Sequence, residues 1–209
     1  MNFKRTKWLV LLAGFILLMS VLEYAHLTGG LPKTVPIWLI VRVLGILAYL
    51  LLFFGLCLGI ILAMPVWRHH SQMRRLFGCL HIYANTSGVV IACIHPLLSL
   101  GDPVNAFTWQ QIFIPFTAPG QSFFYGLGTL SLYGFLFILI TTDLRRHFST
   151  TAWHRFHLLS YLFYLTALAH GMFGGTDTSQ PAMFTLYAVT FICIFVLMCT
   201  QAYLSKNRR

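Results

Sequence analysis

IWLIVRVLGILAYLLLFFGLCLGIILAM, residues 37 to 64, decides how the rest of the chain is read. It carries a single charge, Arg42, and it is bounded by Pro36 before and Pro65 after. A hydrocarbon core of about 30 Å needs roughly 20 helical residues to cross it, so this stretch spans with length to spare. A soluble helix of this length would show a polar face, and none is present.

Working outward, five more stretches have the length and composition of spans: approximately 8 to 27, 77 to 98, 122 to 142, 154 to 173 and 182 to 203. Turn-forming or charged segments separate them, the longest being Gly101 to Gln121. The first span follows Lys4, Arg5 and Lys7, as a signal peptide would, but Glu23 and Tyr24 stand where a cleavage site needs small residues. An uncleaved first helix is expected. The whole composition agrees, with 58% hydrophobic residues and 9% charged among 209, about a third of the charge of an ordinary soluble domain. The expected fold is all-α: one domain over residues 1–209, a polytopic membrane bundle of six helices.

The net charge of +10 does not imply a nucleic-acid partner, because the basic residues cluster at the ends of apolar runs. The N-terminus, the second and fourth loops and the C-terminal tail hold Lys4, Arg5, Lys7, Arg68, Arg74, Arg75, Arg145, Arg146, Arg155, Lys206, Arg208 and Arg209, whereas Lys33 lies in an opposite loop. The positive-inside rule then expects both termini in the cytoplasm of a cell whose plasma membrane, a bacterial inner membrane, holds the chain. The five cysteines, Cys57, Cys79, Cys93, Cys193 and Cys199, show no paired spacing, so neither a disulfide frame nor a zinc site is expected.

Ionisable side chains inside a span are costly, and four histidines lie there. His81 and His95 are 14 residues apart in the third span, and His157 and His170 are 13 apart in the fifth. At 1.5 Å per residue these intervals are about 21 Å and about 19.5 Å along two helices that run in the same direction. His81 should therefore face His157 near the cytoplasmic side, and His95 should face His170 near the outer side. Two b-type haems, each held by two imidazoles between the third and fifth helices, would use all four; a single haem is the alternative. Fourteen residues make about 3.9 turns, but thirteen make about 3.6, which turns His170 nearly behind His157 on an ideal helix. A kink or π-type bulge between those two is expected. Each histidine taken alone could as well be a satisfied core residue bonding a neighbouring helix. His69, His70 and His147 sit among basic loop residues, His26 ends the first span, and His154 is a possible substitute ligand on the inner side.

On these residues the chain resembles the ferric reductase-like transmembrane domain family, which includes ferric reductases, NADPH oxidases and the haem subunit of bacterial methionine sulfoxide reductase. The resemblance covers nearly the whole chain. It is carried by Thr142-Asp143-Leu144-Arg145-Arg146, then Trp153-His154-Arg155-Phe156-His157, Leu159, Tyr161 and His170, and by Arg74-Arg75-Leu76-Phe77-Gly78 leading to His81 and His95. It implies that His81 and His157 hold an inner haem and His95 and His170 an outer one. Arg42, with Gly45 nearby, is similar to a family position where a basic residue meets a haem propionate; snorkelling to the interface is the alternative. Many members continue into flavin and nicotinamide domains, but no Gly-rich phosphate-binding stretch occurs here. A separate flavoprotein or a membrane quinol is then the expected electron donor, and a ferric complex, oxygen or a partner protein outside the cytoplasm the acceptor.

Two other functions fit the same residues. One is a haem subunit that delivers electrons to a periplasmic reductase partner. The other is a channel or transporter whose intramembrane histidines move protons or metal ions. The outer loop with Trp109, Phe113, Pro115 and Phe116 is read as an interfacial segment, alternatively a cover for the outer site. Glu23 and Asp102 could attract a cation there.

Overall fold

The computed structural model describes residues 36–102, 106–175 and 177–207 together with Ile16 and Ser20, the side chain of residue 68 excepted. The predicted first span, His26 and most of the loop after it lie outside the described residues. Among the described residues the chain is helical and has no strand. The helices are α1 (Ile37–Ala63), α2 (Ser71–Leu98), the short α3 (Trp109–Phe113), α4 (Ser122–Asp143), α5 (Thr150–Ala169) and α6 (Pro181–Lys206). Apart from α3, all five are long and apolar enough to cross a membrane, which makes this an integral membrane protein. A helix closes its backbone hydrogen bonds within itself, which is why such segments are stable in lipid.

Local chemistry sets the ends. Pro36 and Pro65 bracket α1, and Pro181 opens α6 at a position where its missing N–H costs nothing. The Ser149 hydroxyl accepts the Ala152 N–H at 3.1 Å and starts α5 at Thr150, inside what the sequence suggests is a loop up to Trp153. Similarly, α2 begins at Ser71 rather than near 77, because Arg74 and Arg75 extend the helix beyond its apolar part. Pro96 sits in the last turn of α2, where the chain passes into a short 3₁₀ turn, Ser99–Gly101.

The centre of the bundle is α1, which packs against α2, α5 and α6, while α4 packs on α5. Lipid is as apolar as leucine, so burial alone does not drive these helices together; close approach at small residues does. Gly88 of α2 lies against Leu52, and Gly55 of α1 against the Asn85 side chain, with no space for a Cβ at Gly55. Large apolar side chains such as Phe54, Ile140, Leu162 and Phe195 point outward, the pattern of a lipid-facing surface.

Candidate cofactor site

Between α2 and α5 the backbones do not pack, and the space is taken by two apolar-walled cavities. One, of about 310 Å³, is lined by His81 and His157. The other, of about 360 Å³, is lined by His95 and His170. Phe135 of α4 borders both and stands as the partition.

The rings pair as their spacing suggests. His81 and His157 have ring centroids 6.1 Å apart with planes at 58°, and His95 and His170 have centroids 6.4 Å apart with planes at 70°. An imidazole nitrogen bonds a first-row metal at about 2.0 Å, and about 1.2 Å separates that nitrogen from its ring centre in a five-membered ring of bonds near 1.35 Å. Two collinear imidazoles on one metal would thus have centres about 6.4 Å apart. Both observed pairs match that span.

The protonation pattern points the same way. His81 Nδ1 donates to the Gly55 carbonyl at 2.7 Å, His95 Nδ1 to the Val41 carbonyl at 2.7 Å, and His170 Nδ1 to the Phe124 carbonyl at 3.0 Å. With the proton on Nδ1, the lone pair is on Nε2, the arrangement by which a protein orients a metal-ligating histidine. A recurrent device makes those carbonyls reachable. Four residues after each acceptor stands a glycine: Gly59 after Gly55, Gly45 after Val41, Gly128 after Phe124. In a helix the carbonyl of residue i points at residue i+4, so the absence of a side chain there uncovers its second lone pair. Each ring fills the uncovered place: a Cβ would stand 3.1 Å from His81 at Gly59, 3.0 Å from His95 at Gly45 and 2.8 Å from His170 at Gly128.

His157 is held differently. Its Nδ1 is buried without a hydrogen-bond partner among the described residues. Its ring stacks on Trp153 at 5.1 Å and 23°, and the Arg145 guanidinium lies 4.1 Å over that indole. His154, the possible substitute, is exposed at the margin of the inner cavity, and it is His157 that faces His81. His69, His70 and His147 are outside both cavities, with His147 accepting from Arg146 Nε at 3.1 Å.

The π-type departure expected between His157 and His170 lies one step later. The helix stays α through Ala169, and the departure is a π turn, His170–Gly174, that begins at the second histidine. Because α2 and α5 are separated by cavities, each pair meets across open space, so the rings of His157 and His170 need not leave the chain along one line.

At the mouth of the outer cavity, Arg42 Nε donates to Asp177 Oδ2 at 2.6 Å, and its guanidinium lies 4.8 Å over Trp38. Asp177, in the loop before α6, is a partner the sequence did not suggest. The outer loop has two sides. Gln111 and Ile112 of α3 line the cavity, whereas Trp109 and Phe113 stack on each other facing outward. Asp102 also lines that cavity. Among the described residues no three histidine, cysteine, aspartate or glutamate side chains converge on a point. The donors come as opposed pairs, which suits a metal whose remaining ligands arrive with a planar macrocycle. No protein-family model, curated protein or solved structure matches the chain.

Proposed function

We propose that the chain is a transmembrane electron-transfer protein of the ferric reductase-like kind, carrying two b-type haems in a six-helix bundle. His81 and His157 would be the axial ligands of the inner haem and His95 and His170 those of the outer one, with Arg42 beside the outer cavity as a counter-charge for a propionate. The observation that carries this reading is the near-equal separation of the two ring pairs, each at the span of two imidazoles on one metal. Nδ1–H donation by three of the four rings supports it further.

Bound haem would supply reversible one-electron storage at each level. The chain's own part is to hold paired nitrogens in line, to keep the cavity walls apolar and to exclude water. Two histidines would hold each haem, which would leave no place for a substrate on the metal and so favours one-electron acceptors: a ferric complex, oxygen or a partner protein outside the cytoplasm. Positive-inside topology would put both termini in the cytoplasm and the His81/His157 level nearest a flavoprotein or quinol donor. A bacterial inner membrane is the proposed location.

Haem counting by pyridine haemochrome on purified protein is the test. Two haems per chain are expected, with one lost in His95→Ala and in His170→Ala, the other lost in His81→Ala and in His157→Ala, and both kept in His154→Ala. A colourless preparation would favour a proton or metal-ion conductor instead. A red protein that reduces ferric complexes only with an added extracytoplasmic reductase would favour the partner-subunit role.

A further inference from the structure

Three of the four paired rings have a carbonyl acceptor uncovered by a glycine, and the fourth does not. A carbonyl on Nδ1–H pushes electron density through the ring and makes Nε2 a stronger donor, which favours oxidised iron and lowers a centre's potential. His95 and His170 both have this support. On the inner level only His81 has it. His157 instead lies against Trp153, whose π cloud is drawn on by the Arg145 cation above it. An indole so polarised returns little density to the imidazole stacked on it, and the buried Nδ1 finds no acceptor among the described residues.

We propose that Trp153, polarised by Arg145, is the positioning residue for His157, and that this stack makes the inner centre the higher-potential and more weakly ligated of the two. The inference rests on the dihaem reading. It assigns the collecting role to the level nearest the cytoplasmic loops, and the more strongly reducing role to the outer level. Arg145 is exposed at the start of the α4–α5 turn, so a soluble donor that docks there and engages its guanidinium would change the inner ligand's environment directly.

Spectroelectrochemical titration of the purified, haem-loaded protein tests this. The wild type should titrate in two steps. Arg145→Gln should lower the upper step, narrow the gap and leave the lower step in place. Trp153→Phe should keep both low-spin spectra, whereas Trp153→Ala should lose up to half of the low-spin signal as His157 detaches. An unsplit titration, a shift of the lower step in Arg145→Gln, or two unmoved steps in both Arg145→Gln and Trp153→Ala would overturn the proposal while haem binding stands. Should Trp153→Ala not fold, the surface change at Arg145 still decides. Absence of haem from the wild type would instead remove the dihaem reading itself.

Discussion

The imidazole of His170 rests on the bare Cα of Gly128, where a methyl group would stand 2.8 Å from Nδ1. The ring is also bonded to Phe124, one turn back on the same helix, so it cannot give way without losing its orientation. Gly128→Ala should therefore weaken the outer site, at about 1 to 3 kcal/mol of overpacking. Gly45→Ala and Gly59→Ala should be milder, since a Cβ there would lie 3.0 Å and 3.1 Å from its histidine. Haem stoichiometry and thermal unfolding in detergent should rank the three in that order, Gly128 first. Equal stability in all three would mean that the rings are not confined as described.

Ring orientation has a spectroscopic consequence. Planes at 58° and 70° are far from coplanar, and crossed axial imidazoles leave the two π-interacting iron d orbitals close in energy. With haems bound as proposed, both oxidised centres should then give strongly anisotropic low-spin resonances rather than the rhombic type of coplanar ligands. Frozen-solution electron paramagnetic resonance of the oxidised protein checks this, and two rhombic signals would contradict the ring geometry.

The buried tyrosines make a directional chain. Thr190 Oγ1 donates to the Leu186 and Tyr187 carbonyls at 2.9 and 3.0 Å, so it accepts from Tyr49 at 2.5 Å, and Tyr49 in turn accepts from Tyr164 at 2.7 Å. Tyr164→Phe removes only the last link, and a loss of about 1 kcal/mol is expected. Tyr49→Phe strands the Tyr164 hydroxyl and the free lone pair of Thr190 together, for a loss of about 2 kcal/mol or more. Thermal unfolding of the two single variants and the double variant measures the difference. A larger loss in Tyr164→Phe than in Tyr49→Phe would reverse the assigned donor order.

Residues 37 to 64 and their neighbours made the membrane helices legible, because length and apolarity are properties of the local sequence. The pairing of His81 with His157 and of His95 with His170 was legible for a similar reason: helix rise converts an interval in sequence into a depth. Angular reasoning misplaced the π-type departure, which begins at His170 rather than before it, because it assumed a tight helix-to-helix seam. The cavities removed that constraint, and nothing local to residues 157 to 170 announces a cavity. Carbonyl acceptors were invisible too, since every residue carries one. The glycines that uncover them could have been found: Gly45 and Gly59 are separated by the same 14 residues as His95 and His81. Asp177 could not, because nothing near Arg42 in sequence points to a loop 135 positions away.

That last pair gives the sharpest electrostatic prediction. Arg42 and Asp177 line the cavity that holds His95 and His170, and they are joined at 2.6 Å with side chains 32% and 27% exposed. A positive charge near a redox centre disfavours its oxidised, more positive state, and a negative charge favours it. On the proposed dihaem reading, Arg42→Gln should therefore lower the outer potential and Asp177→Asn should raise it, each by on the order of 1 kcal/mol per electron after solvent screening. The double variant restores neutrality and should return close to the wild type, with the inner potential unmoved throughout. Redox titration of the four proteins reads all of this. Shifts of the same sign in the two single variants would mean that the residues act through packing rather than charge.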